Sequence, residues 1–167
     1  GGVKMKTADK NVEIERKWLL PALPEKIHQA NLEEVKGVEI RQYYLIVDSQ
    51  EELSLRRKGK DYYRTRKVGN GLVRVEEEEK VTEEQFEALM EKKIGHLLRK
   101  WRFSLKLNGH CLEFDQFEGH LQDLVLLEVE FKSEEDAANF SLPEWVVGAE
   151  EVTGDPQYQN KNLALQD

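Results

Sequence analysis

The sequence predicts an α+β fold in which eight antiparallel strands form a β-barrel, closed or nearly closed, with helices packed outside. Three observations lead to this prediction. Eight segments alternate polar and apolar residues with period two, as half-buried strands do. Hairpin signals such as Gly69-Asn70-Gly71 and Asn108-Gly109 join several of them. Helical patterns interrupt the strands rather than alternating with them, which excludes a regular parallel α/β arrangement.

The elements follow in chain order. Extended segments are predicted at 12–20, 38–48, 52–57, 62–68, 72–81, 100–107, 111–117 and 124–132. A short helix is predicted within 24–36. A longer one is predicted over 82–98, where a capping box of Thr82 and Gln85 precedes apolar residues at helical spacing up to Ile94 and Leu97. Ser133 begins a third helix ending at Phe140, and the tail from 150 to 167 receives no element.

Composition limits the class of protein. The length of 167 residues suits one domain, predicted over 11–167, after a polar leader at 1–10. A net charge of -8 argues against nucleic acid as a partner. One cysteine, Cys111, excludes a disulfide framework and favours a cytoplasmic location. No apolar run approaches the roughly 18 residues that a membrane span needs, so no membrane partner is expected.

The polar faces of the strands are densely charged. In the segment 100–107, for example, Lys100 and Arg102 oppose Trp101 and Phe103. Two interpretations stay open on pattern alone: a polar face turned to water, or a barrel with its charges inside and apolar residues against the helices. Similar numbers of cations and anions, few neutral polar residues, and the amphipathic helix at 82–98 favour the second.

The charge inventory predicts a type of ligand. Arginine and lysine on several strands suit a multiply charged anion, because guanidinium groups bind phosphate oxygens in pairs. Clustered carboxylates without histidine or cysteine suit a hard cation such as Mg²⁺ or Mn²⁺. Together they indicate a metal ion and a polyphosphate.

Seven ordered motifs carry a resemblance to a known family: Glu13-x-Glu15-x-Lys17, Leu55-Arg56, Thr65-x-Lys67, Arg74-x-Glu76-x-Glu78, Lys100-x-Arg102, Glu113-x-Asp115-x-Phe117 and Leu127-Glu128-Val129-Glu130-Phe131. The chain resembles the CYTH superfamily, the triphosphate tunnel metalloenzymes, and is similar to its short bacterial inorganic tripolyphosphatase-like members. The resemblance extends from about residue 12 to residue 165. It implies an eight-stranded antiparallel tunnel with a charged interior, and a homodimer as one assembly.

The resemblance also implies site residues. Two Mg²⁺ or Mn²⁺ ions are expected on a set of carboxylates: Glu13, Glu15, Glu76, Glu78, Asp115, Glu128 and Glu130. The phosphate chain is expected on a set of cations: Lys17, Arg56, Lys67, Arg74, Lys100 and Arg102. Lys17, Tyr44 and Glu78 are the expected catalytic residues, with Tyr44 beside Lys17 at the reacting end. Alternatively, Tyr44 fills a layer of the barrel.

One departure concerns the substrate. The family usually has a second arginine two residues before Arg56, and this chain has Ser54 there. The expected reaction is metal-dependent hydrolysis of a triphosphate-bearing small molecule, foremost inorganic tripolyphosphate, to diphosphate and phosphate. Three alternatives remain at this point: a class IV adenylate cyclase or thiamine triphosphatase, a non-catalytic polyphosphate- or nucleotide-binding module, and a plain structural domain.

Overall fold

The computed structural model describes residues 10–12, 14–29, 35–69 and 73–166 of the chain. The strands in these ranges are β1 (Lys10–Val12), β2 (Ile14–Leu20), β3 (Val35–Val47), β4 (Glu51–Lys58), β5 (Asp61–Val68), β6 (Val73–Val81), β7 (Ile94–Leu107), β8 (His110–Phe117), β9 (Val125–Phe131) and β10 (Glu150–Glu151). The α-helices are α1 (Glu25–Gln29), α2 (Glu83–Leu89), α3 (Glu134–Asn139) and α4 (Asn160–Leu165), and short 3₁₀ helices lie at Met90–Lys92, Gly119–Leu121 and Pro156–Tyr158. None of the described helices has the length and apolar character needed to cross a membrane.

The strands pair in an antiparallel manner, as predicted, and few helices accompany them. Eight of them coincide with the eight predicted segments to within a few residues, except that β7 begins six residues early. The described residues add two short strands, β1 beside β6 and β10 beside β2. The described residues therefore form ten strands where the sequence predicts eight, and closure into a barrel stays a prediction.

The described chain divides into two compact units. The first contains residues 10–12, 40–69, 73–98 and 159–166, and its strands are ordered β1-β6-β5-β4-β3. Tyr43, Leu55 and Phe86 form its core, with α2 supplying Phe86. The predicted capping box begins α2: the Gln85 N–H donates to Thr82 Oγ1, and the Thr82 N–H donates back to Gln85 Oε1. Since Leu55 faces this core, alternation places the even residues of β4 on the opposite, polar face.

The second unit contains residues 14–29, 35–39 and 99–158, with strand order β7-β8-β9-β2-β10. Its apolar core includes Leu112 and Phe114 of β8 and Leu127 and Val129 of β9, all at most 1% exposed. Trp18 of β2 packs into the same core. The residues that alternate with these on β8 and β9 form the opposite, charged face.

Two predicted helices differ from the structure. The helix over 82–98 ends at Leu89, and after one 3₁₀ turn Ile94 and Leu97 already belong to β7. Extended backbone at Lys93 and a φ of 72° at Gly95 redirect the chain there, while the apolar spacing continues by coincidence. The helix within 24–36 is reduced to α1; Val35 lies in β3, and Leu32 lies outside the described residues. In the tail, β10 and α4 form where no element was predicted.

Candidate active site

A buried triad of charges lies on the polar face of the second unit. Alternation on β7 places Lys100 and Arg102 on one face, and Arg102 is directly opposite Asp115 of β8. Lys100 Nζ is 2.7 Å from Asp115 Oδ2. Arg102 Nε and Nη2 donate to the two oxygens of the same carboxylate, at 2.7 and 2.8 Å. Lys100 is 2% exposed and Asp115 is 1% exposed, so a solvated charged face is the wrong interpretation at these positions.

The triad fixes the charge state of its carboxylate. Burial alone works to raise the pKa of Asp115, but attraction by Lys100 and the hydrogen bonds from Arg102 outweigh it and bring the pKa down to about 2. Burial lowers the pKa of Lys100, against the attraction of Asp115. Burial works to lower the pKa of Arg102 as well, but its hydrogen bonds to Asp115 and the attraction of Asp115, Glu113 and Glu128 together outweigh burial and raise the pKa. Asp115 is therefore ionised at neutral pH and is too weak a base to accept a proton there.

Lys17 lies on β2 of the same unit, a strand that β9 separates from β8. It is directly opposite Glu128 of β9, and its Nζ is 3.2 Å from Glu128 Oε1. The same amine donates to the backbone carbonyl of Tyr158 at 2.8 Å. Lys17 is 8% exposed, so both contacts form out of bulk water. An ammonium group has three N–H donors. Within the described residues these two contacts use two of them, which leaves one for a ligand oxygen.

Carboxylates face one another across β2, β9 and β8. Glu15 is opposite Glu130, and Glu128 is also opposite Glu113. Directly opposed like charges destabilise a sheet unless a cation lies between or beside them. Oxygen donors of this kind are the ligands that Mg²⁺ and Mn²⁺ prefer, so the donor set fits the predicted ions. Among the described residues, no group of three or more His, Cys, Asp or Glu side chains converges on one point.

The polar face of the first unit has its own charged cluster. Arg56 Nη2 donates to Glu78 Oε2 at 3.2 Å, and Thr65 Oγ1 donates to the same oxygen at 2.9 Å. Arg56 Nε is buried and lacks a hydrogen-bond partner among the described residues. A buried donor without an acceptor is costly, so this nitrogen is suited to an anionic ligand.

Ser54 occupies a buried position on this face. It is 4% exposed, and its hydroxyl accepts a hydrogen bond from Gln42 Nε2 at 3.2 Å. Gln42 Nε2 is also 3.5 Å from the hydroxyl of Tyr44, which is itself 4% exposed. A neutral hydrogen-bonded group thus replaces the arginine of the family pattern. The predicted pairing of Tyr44 with Lys17 stays a prediction.

The remaining predicted residues are placed less completely. Lys67 is directly opposite Glu76 on β5 and β6. Arg74 belongs to β6, but its side chain lies outside the described part of the structure. Glu13 also lies outside the described residues.

Four residues near these clusters were not among the predicted site residues. Glu113 lies 3.6 Å from Arg102 Nη1, and Thr65 and Gln42 contact the first unit's cluster. Glu113 and Thr65 stand inside the recognised motifs, so the sequence contained a signal for them. The Tyr158 contact uses a backbone carbonyl, which no side-chain pattern reveals.

Known proteins resemble this chain along most of its length. An inorganic triphosphatase of Nitrosomonas europaea is 43% identical over 155 residues, covering 92% of this chain and 97% of that protein. An inorganic triphosphatase of Acetivibrio thermocellus is 32% identical over 156 residues, covering 90% and 92%. No protein-family model matches the sequence.

Solved structures agree in fold. The crystal structure of the inorganic triphosphatase NE1496 has a TM-score of 0.71 at 41% identity, covering 94% of this chain and 97% of that one. A putative adenylate cyclase from Bacillus halodurans has a TM-score of 0.55 at 20% identity, covering 77% and 85%, which shows shared fold alone. These likenesses define a CYTH-like protein with the triphosphate tunnel fold. The chain belongs to the inorganic triphosphatase family.

Proposed function

We propose that this chain hydrolyses inorganic tripolyphosphate to diphosphate and phosphate with the help of a divalent metal ion. Its membership of the inorganic triphosphatase family carries the proposal. The buried Lys100–Asp115–Arg102 triad supports it independently, because interior cations held at fixed positions suit a multiply charged anion. The adenylate cyclase and thiamine triphosphatase alternatives, and the non-catalytic module, have no specific observation in their favour.

The cations of each unit would bind the phosphate chain. In the second unit these are Lys17, Lys100 and Arg102. In the first unit they are Arg56, Lys67 and Arg74, and the unpartnered Arg56 Nε is the donor best suited to a phosphate oxygen. Such preorganised donors stabilise the charge that develops on the transferred and leaving oxygens.

The carboxylates would hold the metal. Glu13, Glu15, Glu128 and Glu130 are the proposed ligands of Mg²⁺ or Mn²⁺, with two ions expected. A bound ion would neutralise phosphate charge and acidify the attacking water. For Asp115 the contacts favour positioning of Lys100 and Arg102 over metal ligation, because both of its oxygens already accept from these cations.

A carboxylate would accept the proton of the attacking water. Glu78 and Glu76 of β6 are the proposed candidates. Glu78 already accepts from Arg56 and Thr65 through one oxygen, so Oε1 is the atom to receive a proton there. The proposal also includes Lys17 and Tyr44 as a catalytic pair and a closed eight-stranded barrel. It further includes a cytoplasmic location and a homodimer.

The test measures phosphate release from tripolyphosphate, ATP and thiamine triphosphate, each with Mg²⁺ or Mn²⁺. Release from tripolyphosphate that requires metal is expected, and Glu130→Gln should reduce it at least about a hundredfold. Glu144→Gln, an exposed carboxylate of the same unit, serves as the control and should keep full activity. An unaffected Glu130→Gln rate contradicts the ligand assignment. Cyclic AMP from ATP would make the protein a cyclase, and tight binding without release would make it a binding module.

A further inference from the structure

Residues 150–158, called here the C-terminal strap, lie beside β2 in the second unit. β10 begins the strap and pairs with Leu19 and Trp18. Beyond β10, the Val152 N–H donates to the Lys17 carbonyl at 2.8 Å, and the Lys17 N–H donates to Thr153 Oγ1 at 3.0 Å. The strap therefore forms hydrogen bonds with both the N–H and the carbonyl of Lys17.

The strap also holds the side chain of Lys17. Two consecutive turns carry the chain onward: the Asp155 N–H donates to the Val152 carbonyl at 3.0 Å, and the Tyr158 N–H donates to the Asp155 carbonyl at 3.1 Å. They bring the Tyr158 carbonyl to 2.8 Å from Lys17 Nζ. One short segment thus fixes both ends of a long, flexible side chain.

An ion pair anchors the strap from the other side of the strand. Thr153 Oγ1 donates to Glu151 Oε2 at 2.6 Å. Arg16 donates to both oxygens of Glu151, at 2.9 and 2.8 Å. Arg16 Nη1 also donates to the carbonyls of Ala137 and Phe140, at 2.8 and 3.0 Å. The Thr153 hydroxyl is consequently the link between this anchor and Lys17.

A carbonyl acceptor suits a phosphate-binding lysine. Lysine loses considerable rotamer entropy when it is fixed in one conformation. Glu128 already balances the charge of Lys17, so a second carboxylate would give the site a net negative charge that repels the anion, whereas a neutral carbonyl orients the ammonium group without adding charge.

We infer that the C-terminal strap is a positioning device for Lys17, and that Thr153 is its controlling residue. Thr153 does not touch the substrate; it acts through Lys17, by fixing the strap that presents the Tyr158 carbonyl. The inference rests on the proposed function, in which Lys17 binds the phosphate chain. It adds a positioning residue outside the eight predicted strands.

A double-mutant cycle tests this role, with binding of a non-hydrolysable methylene-bridged triphosphate measured by calorimetry. Thr153→Val keeps the shape of the side chain and removes the hydroxyl, and should weaken binding about fivefold. The same change in a Lys17→Met background should weaken it less than about twofold, because the residue through which it acts is gone. Thr153→Ser should restore binding to near the original value.

Matched variants keep the cycle decisive. Glu151→Gln tests the same anchor at an exposed site and replaces Thr153→Val in the cycle if that variant does not fold. Glu150→Gln changes the adjacent residue of β10, which alternation directs to the other face, and should leave binding unchanged. If Thr153→Val weakens binding equally in the unmodified chain and in the Lys17→Met background, or does not weaken it at all, the inference is wrong while the proposed function stands. If the unmodified chain does not bind the triphosphate analogue, both the inference and the proposed function are wrong.

Discussion

Replacement of Asp115 by asparagine should destabilise the fold strongly, because this carboxylate is the counter-ion of two buried cations. Its oxygens lie 2.7 Å from Lys100 Nζ and 2.7 and 2.8 Å from the guanidinium of Arg102, with the carboxylate 1% exposed. Asparagine has nearly the same volume, so the substitution opens no cavity. It removes the negative charge and turns one acceptor into an amide donor.

The expected loss follows from the geometry. Removing one partner of a buried ion pair costs about 3–5 kcal/mol, since the remaining charge stays buried without compensation. In Asp115→Asn the buried Lys100 loses its closest counter-ion and Arg102 keeps only the longer contact to Glu113 at 3.6 Å, so the free energy of unfolding at pH 7 should fall by roughly this amount. A domain with a total stability of about 5–15 kcal/mol would lose a large fraction of it.

The pKa of Asp115 adds a pH dependence with a definite sign. It falls from an ordinary 3.8 to about 2 in the fold. Between these values the unfolded chain binds the proton and the folded chain does not, so stability rises with pH through this window. The contribution, roughly 2 kcal/mol, is complete above about pH 4 and is lost as the pH approaches 2.

Urea unfolding at pH 7 and at several values between 4 and 2.5 measures both effects. The difference in unfolding free energy between the unmodified chain and Asp115→Asn should shrink as the pH falls. Asp61→Asn is the control: this exposed carboxylate lies 3.7 Å from Lys80 Nζ, and its loss should cost under about 1 kcal/mol. A loss below about 1 kcal/mol for Asp115→Asn, or a difference that is constant with pH, would refute the reasoning.

Two further predictions concern the first unit. Ser54→Arg restores a cation on the face that holds Arg56 and should lower the KM for tripolyphosphate about tenfold, whereas Ser54→Gln should leave the KM unchanged. Steady-state kinetics measure both values. An unchanged or higher KM for the arginine variant contradicts the assignment of this face to phosphate binding. Gly95→Ala should destabilise the fold by more than about 2 kcal/mol, because Gly95 has a φ of 72° and an added Cβ would lie 2.3 Å from the Ala164 carbonyl oxygen. Gly109→Ala is the matched control in thermal unfolding, because Gly109 has a similar φ of 81° but no atom lies within 4 Å of an added Cβ. Equal losses of stability for the two variants would show that the close approach of α4 is unimportant.

The sequence predicts the strands well because their signal is local. Alternation assigns Lys100, Arg102 and Asp115 to polar faces, and the structure brings these three together. The helix predicted over 82–98 fails at its end because helical spacing of Ile94 and Leu97 cannot reveal the left-handed backbone at Gly95. Ala164, which is remote in sequence, lies close enough to Gly95 that no side chain fits there. The partner of a buried charge is equally non-local. The motifs suggest a metal for Asp115, whereas the folded structure places Lys100 and Arg102 at its oxygens.

This protein positions its buried cations in two different ways. Asp115 contacts Lys100 and Arg102 through both of its oxygens, which secures the position of these two cations and stabilises the fold. Lys17 is held by the neutral carbonyl of Tyr158 as well as by Glu128, and Arg56 keeps one buried donor without a partner among the described residues. Lys17 and Arg56 each contact one carboxylate, but each also keeps an N–H donor without an acceptor among the described residues, and such a donor can bind a phosphate oxygen without giving up another partner. Substitutions at Lys17 and Arg56 should therefore act mainly on phosphate binding, whereas those in the Asp115 triad should act on stability as well.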